Sequence, residues 1–545
     1  MKKILFFFFI SAGSSVFAQT VFEPSSSTIY NLLNRLATKG IIEFNDEMKP
    51  LSRMELAQKL VEVTKYDSQL TVIEREEIEY FKKEFAPELA SKGLNNMNKE
   101  AQFFSIDDVT GFRFFLFRND DFTFNLDPIL GLNIKNRYEE VQTHRWNGLQ
   151  LYGYFKNNWG FNFYFRDNEE QGERIDRTRA FSPLPGFNLS QSSSNTIEYV
   201  DVQGLVSYSW NSGNISIGKE YIEWGSGING KVILSNKAPS FPFIKFEFSP
   251  INWLKFVYFH GWLHSALIDS STIRTTAVEG RESYSQREKF IAAHMISFYP
   301  LSNLSISLGE SIVYSDKLEF AYFIPILFFR AVDHYIHKDS SNTGDNAQLF
   351  FNTVYRNINL RTKLYATLFI DELSITNLLE GTNLSAIGIT AGVSFVDPVI
   401  KNSELSFEYT RLNPFVYMNS NDAQLFTSHD YQLGHWIGSN AHQFYAEYNQ
   451  SFLRGLRMRI WGEYVQKGQK ELPEEQYTLP YPELLYGDKL TMTSLGLNLS
   501  YEILHNLFGQ LYFTYSNTTD ENELRTPEYQ LGRKYSVGVS FGYGF

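Results

Sequence analysis

The chain has 545 residues, with 48 Phe, 33 Tyr, no Cys and a formal net charge of −12. Without cysteine, disulfides, thiolate chemistry, cysteine-ligated zinc and a lipoprotein anchor are excluded. The acidic balance excludes nucleic acid as a partner, because a polyanion needs a basic face.

The chain opens "MKKILFFFFISAGSSVFAQT". Lys2 and Lys3 precede a short apolar run, Ile4 to Ile10, and Val16-Phe17-Ala18 supplies small residues at a cleavage site, so residues 1–18 read as a secretory signal peptide. The next segment, 19–95, carries a helical period. Ile29, Leu32, Leu33 and Leu36 share one face, with Gly40 as a left-handed cap. Ser52 with Glu55, and Thr71 with Glu74, have the spacing of capping boxes. Leu56, Leu60 and Val63 form a second stripe, and Ile78, Phe81 and Phe85 a third. Three short amphipathic helices cannot bury their stripes singly, so a compact three-helix unit is expected. "ASKGLNNMNKE" follows as a linker.

From about residue 96 to the last, the period is two. "FTFNLDPILGLNIK" places Phe122, Phe124, Leu126, Leu130, Leu132 and Ile134 on one face, against Asn125, Asp127, Asn133 and Lys135 on the other. "LRMRIWGEY" sets Leu456, Met458 and Ile460 against Arg457, Arg459 and Trp461, and "KYSVGVSFGYGF" ends the chain on Phe545. About 18 such segments, each roughly ten residues long, suit tilted bilayer-spanning strands. The polar face carries Arg, Lys and Glu that a packed sandwich core rejects. The other face is aromatic-rich, as lipid-facing bands and girdles are. The greasiest stretch, "FAYFIPILFF" from Phe320 to Phe329, is too short for a spanning helix and contains Pro325. The expected fold is mainly β: a transmembrane antiparallel barrel, residues 96–545, with a small N-terminal three-helix unit.

Several motifs have bland readings that outweigh their sharp ones. "GSGING" matches a dinucleotide fingerprint but lacks the helix needed to hold a pyrophosphate, so it reads as a glycine-rich turn. His260 and His264 share a strand face and read as histidines on the barrel's wet side. Asp333, His334 and His337 lie in a loop without a third cluster. No spacing selects a catalytic triad. No cofactor, metal or catalytic residue is expected.

Long polar insertions separate some strands, and in bacterial barrels these face outward while tight turns face inward. One insertion, "GQKELPEEQYTLPYPELLYGD", carries Tyr477, Tyr481 and Tyr486 among prolines. Exposed tyrosines suit sugar rings, with Arg and Asp for the hydroxyls. Packing over the barrel mouth is the plainer reading of any one of them.

A series of blocks in fixed order resembles the Wzi-type capsule assembly family of the Gram-negative outer membrane. They include "IYNLLNRLATKGII", "IGKEYIEWGSGINGKVILSNKAPSFPF", "KFIAAHMISFYP", "GDNAQLFF", "LYATLFIDEL", "FEYTRLNPFVY" and "LGHWIGSNAHQFYAEY". Trp224, Gly225, Ser235, Asn236, Pro239, Asp345, Asn346, Asp371, His435 and Trp436 are the motif positions within them. Ser226 departs from the proline that often follows Trp-Gly in the family. The resemblance implies a barrel with a periplasmic helical bundle, no enzymatic activity, and binding of capsular or extracellular polysaccharide at the cell surface. The first two helices also resemble surface-layer homology repeats, which implies contact with peptidoglycan or other periplasmic assembly proteins. Outer-membrane lipid is the remaining partner. A porin or sugar-selective channel is the rival reading, since lumen-facing Arg457, Arg459 and Lys135 serve either; an outer-membrane hydrolase is a third.

Overall fold

A computed structural model describes residues 20–91, 93, 101–107, 111–156, 158–275, 282–336, 344–373, 385–472, 475–476, 480–522 and 524–544. The signal segment 1–18, most of the linker, His337, Tyr477 and Phe545 lie outside the described residues.

Eighteen antiparallel strands close into one barrel. The first six are β1 (Phe122–Arg137), β2 (Glu140–Phe155), β3 (Trp159–Gln171), β4 (Thr196–Trp210), β5 (Gly213–Glu220) and β6 (Phe241–Ile251). Next come β7 (Leu254–Thr275), β8 (Glu282–Leu301), β9 (Leu304–Ser315), β10 (Asn346–Asn357), β11 (Thr362–Leu373) and β12 (Ser385–Val396). The circuit ends with β13 (Ser403–Leu412), β14 (Ala441–Leu453), β15 (Leu456–Lys467), β16 (Leu490–Leu504), β17 (Leu507–Asp520) and β18 (Gly532–Tyr543). β18 pairs back onto β1, from Ser536–Arg137 to Tyr543–Leu130, so the wall has no free backbone edge. A hairpin of Ala101–Asp107 and Gly111–Arg118 extends the seam along the first residues of β1.

The alternation seen in sequence sets the two faces. Leu130, Leu132 and Ile134, Leu495, Leu497 and Leu499, and Val537, Val539 and Phe541 are exposed on the outside. Large inward rings find room over glycines. Trp146 lies directly opposite Gly131, where a Cβ would sit 2.0 Å from the indole.

At one end the strands join by tight turns, such as Asn211–Ser212, Ser302–Asn303, Arg454–Gly455 and His505–Asn506. At the other, long segments cover 172–195, 221–240, 316–345, 413–440 and 468–489.

The helical unit fills the lumen at the short-turn end. It consists of α1 (Ile29–Thr38), α2 (Arg53–Thr64), α3 (Val72–Glu84) and α4 (Ala86–Ser91), around Leu33, Leu36, Leu56, Leu60, Val63, Ile78, Phe81 and Phe85. Gly40 ends α1 with φ +76°, as its position suggested. The Thr71–Glu74 capping box forms. The Ser52–Glu55 one does not: the Ser52 side chain makes no cap bond, and Glu55 instead reaches Lys255 of β7 at 3.7 Å. A partner in the wall outcompetes the local cap.

Two of the long segments, 221–240 and 413–440, fold inward rather than outward. They bring Trp224, Val232, Ile233, Leu234, Phe415, Val416, Tyr417, Phe426, Leu433 and Ile437 against Phe243, Phe259, Met295, Phe350 and Phe369 of the wall. On this side the loops cover an apolar patch of the lumen face, with Asn352 and Thr367 as polar residues among it. Glu223 and Trp224 even pair with Met48 and Lys49 of the helical unit.

Residues 316–336 take the opposite course, over the outer wall. Their short helix α5 (Phe329–Ile336) and the 3-10 turn Phe320–Phe323 cover Tyr258, Phe290, Ala292, Ile312 and Tyr314. His260 belongs to this outer layer and not to the wet face. Its ring bonds the Tyr314 hydroxyl at 2.7 Å and stacks on Phe323 at 4.1 Å. The parity is fixed by Val257 and Phe259, which the inward apolar core claims.

Candidate functional site

The helical unit is anchored by buried ion pairs. Arg53 reaches Glu23 at 2.6 Å and Glu88 at 2.7 Å, and lies over the rings of Phe85 and Tyr152. Glu84 receives Arg113 from the seam hairpin at 3.0 Å, and it also contacts His505 in the β16–β17 turn. Burial raises the Glu84 carboxyl, but Arg113 and His505, then Arg53, outweigh it and hold it well below the usual carboxylate range. Arg35 ties α1 to Glu74 and to Asp397 of the β12–β13 turn, and Arg457 of β15 reaches Glu77 at 2.7 Å.

Above this floor, a cavity of 1680 Å³ runs up the side of the lumen that the inward loops leave free. Arg53, Tyr80 and Glu84 of the helical unit line its base. Lys135, Arg137, His144, Tyr164, Arg166, Asp201, Lys219, Trp461 and Tyr512 line its walls. Arg174, Thr178, Leu184 and Tyr529 line its upper part. Arg174, Thr178 and Leu184 are exposed, so the cavity meets solvent at the long-loop end. The volume exceeds the roughly 300–1,000 Å³ of a small-molecule pocket. Its lining carries Arg, Lys, Tyr and Trp together with the carboxylates of Glu84, Asp127, Glu170, Asp201, Glu220 and Glu463.

The 172–195 segment forms the upper rim and is held rigidly. Arg179 pairs with Glu170, bonds the Tyr199 hydroxyl at 2.8 Å and lies over Phe187. The Lys237 ammonium donates to the backbone carbonyls of Arg179, Ser182 and Leu184. Phe181 packs edge-on against Trp436.

The family-motif positions converge on the inward loops rather than on the open cavity. Trp224 is buried between Phe259 and Phe350, and the Gly225 amide donates to the Glu47 carbonyl. The amide of Ser226 donates to Asn352 at 2.9 Å and to Thr367 at 3.1 Å, bonds that a proline here could not make. Ser235 binds the Leu433 and Gly434 carbonyls, joining the two inward loops. Trp436 donates from its indole to the Asn229 carbonyl at 2.7 Å. His435 is fully buried beside Gly230, whose φ is +141° and whose Cβ would lie 2.5 Å from the imidazole. Burial pushes that imidazole down to about 3, so it is neutral. Asp371 accepts the Tyr417 amide. Asp345 accepts from Tyr322 of the outer segment and from Gln424 of an inner one, and Asn346 bonds the Gln424 carbonyl. Of these ten positions only Asn236 and Pro239 line the large cavity.

Tyr481 donates to the Pro414 carbonyl at 2.9 Å, with its ring against Phe415. The Tyr486 carbonyl accepts from Asn440 and Gln469. Neither lines the large cavity. Trp461, Tyr164 and Arg166 do, and their inward parity was the sequence signal for them. "GSGING" is a turn inside the lumen, and among the described residues no group of three or more His, Asp or Glu could hold a metal ion.

No curated protein sequence matches the chain. The fold is similar to that of a protein described as Wzi, an outer membrane protein involved in group 1 capsule assembly in Escherichia coli and a carbohydrate-binding β-barrel. The TM-score is 0.56 at 12% identity, covering 97% of this chain and 100% of that one. OprD of Pseudomonas aeruginosa aligns at a TM-score of 0.41 and 13% identity over 82% of this chain and 97% of that one. OccAB1 of Acinetobacter baumannii aligns at 0.43 and 9% over 82% and 99%. Residues 145–525 match the family model described as capsule assembly protein Wzi. With well over half of the chain in that match, and the barrel agreeing in fold, the chain belongs to the Wzi family of capsule assembly proteins.

Proposed function

We propose that this protein is an outer-membrane barrel that binds capsular or extracellular polysaccharide at its outer mouth and tethers it to the cell surface, without enzymatic activity. Residues 96–545 form the barrel, and 19–95 form a periplasmic brace, free to touch peptidoglycan or assembly partners on its inner face. The observation that carries this reading is the filled lumen. Ion-paired helices sit across one end and two loops pack an apolar core inside, leaving a cavity on one side whose lining carries Arg, Lys, Tyr and Trp among carboxylates. A solvent-open cavity lined by aromatic rings, cations and carboxylates suits a sugar chain: rings stack on Trp461 and Tyr164, while Arg166, Lys135, Lys219 and Asp201 meet its hydroxyls and charged groups. Tyr481 and Tyr486 lie outside this cavity, and with Tyr477 they are proposed as secondary sugar contacts. Weak single sites on many neighbouring barrels hold one polymer firmly through avidity.

The test is a pull-down of detergent-extracted protein with the organism's own surface polysaccharide, alongside gene deletion. Retention in the pull-down, and polymer released into the medium by the deletion strain, are the expected results. Normal surface attachment after deletion refutes the tether. Large, steady single-channel conductance from the intact protein favours the porin reading instead.

A further inference from the structure

The outer wall of this barrel has a second surface layer. Outward-facing positions of a membrane barrel meet lipid, as Leu308 of β9 does, being 47% exposed. Two residues further along the same face, Glu310 is only 2% exposed. It lies directly opposite His294 of β8, at 3.2 Å, and accepts the Phe329 amide at 2.6 Å. An acid and two histidines, His260 and His294, thus stand on the lipid side of the wall and are covered by residues 316–336. Uncovered in hydrocarbon they would be costly.

The height of this cover decides what its own outer surface meets. Glu310 is midway along β9, between Leu304 and Ser315. Six residues at about 3.3 Å each, tilted as barrel strands are, place it roughly 15 Å above the short-turn rim. That is near the middle of an apolar band about 25 Å tall. Phe329 is therefore at bilayer depth, and the residues before it reach that depth from the rim. After the exposed Asp316 and Lys317 at the end of β9, the exposed side chains from Phe320 to Phe328 are apolar: Phe320, Ile324, Ile326 and Phe328, with Ile326 83% exposed. This surface is continuous with the barrel's own lipid face. Arg330 and His334 on α5 are exposed polar groups of the kind that interfacial helices send to headgroup level.

We propose that residues 316–336 form a membrane-embedded strap, whose Phe320–Phe328 surface contacts acyl chains of the outer leaflet while its inner face seals the Glu310–His294 pair from lipid. The proposal rests on the membrane reading of the barrel and adds a lipid contact made by a loop rather than by a strand. The absence of native cysteine makes the test clean. Ile326→Cys, Leu497→Cys on the barrel's lipid face and Leu524→Cys in an exposed outer loop are each labelled with an environment-sensitive fluorophore. The labelled proteins are reconstituted in phosphatidylcholine vesicles carrying spin labels on the acyl chains. The label at 326 should lose as much fluorescence as that at 497, and both should lose far more than that at 524. Quenching at 326 no greater than at 524, with 497 still quenched, overturns the strap. Disulfide-linked dimers of unlabelled Ile326→Cys in membranes also overturn it, because they show a second copy on this surface. Loss of quenching at 497 as well would sink the membrane reading itself.

Discussion

Arg53 has hardly any solvent contact and sits among Glu23, Glu84 and Glu88, so its charge is held by geometry. Replacing it with Met leaves Glu88, 0% exposed, without its cation, and breaking a buried pair costs about 3–5 kcal/mol. Arg53→Met should release the helical unit, seen as protease cleavage within 20–93 while the barrel still resists heat in detergent. A steric test applies at Gly131. Gly131→Val drives a side chain into Trp146 and should cost about 1–3 kcal/mol, and Trp146→Ala in the same chain should recover part of it, read from unfolding in urea. For the ligand, Trp461→Ala removes one stacking platform, about 1 kcal/mol or roughly fivefold in single-site affinity. Binding of a defined oligosaccharide measured by calorimetry checks it, with barrel folding unchanged.

Among elements, the strands were the most legible, because alternation between water and hydrocarbon leaves so regular a mark. The helices were legible through their apolar stripes and Gly40. The path of the long loops was not. Polarity marked insertions such as 468–488 as outward but gave no course for 221–240 and 413–440, which turn in. A trace of this existed: in "KFIAAHMISFYP" Ile291, Ala293 and Met295 face the folded-in loops while Phe290 and Ala292 face the outer layer, so the strand is apolar on both sides. His260 was misplaced for the same reason, and the motif residues from Trp224 to Trp436 proved to join loops to each other and to the wall. The three tyrosines of 468–489 could not be assigned from sequence, since a loop residue's partner lies on another loop. The helical unit also yields a pH prediction. The Glu84 carboxyl is depressed on folding, so its contribution is full above the ordinary value of 4.5 and is lost as pH falls toward its lower folded value. Hydrogen exchange in α3, corrected for intrinsic pH effects, should therefore quicken below about pH 4.5 before the wall strands respond. No change in α3 relative to the wall would show that the ion pairs do not hold it.

The whole molecule is a cylinder whose interior is a protein core on one side and a large cavity, floored by the helical unit, on the other. Intact protein in planar bilayers should pass almost no current. Removing 221–240 takes away Trp224, Ile233 and Leu234 from that core and should open measurable steps if the barrel still forms, which heat-modifiability on gels will report. On the proposed function, this cavity is where a polymer end enters, beside the same inward loops that fill the rest of the lumen.

The two-residue ladder between Met48–Lys49 and Glu223–Trp224 joins a loop rooted at the mouth to the brace at the opposite end. It acts as a tie rod. Under the proposed tethering role, a pull on bound polymer need not stop at the rim: backbone bonds hand it down the bore to the helical unit, so both ends of the barrel share the load.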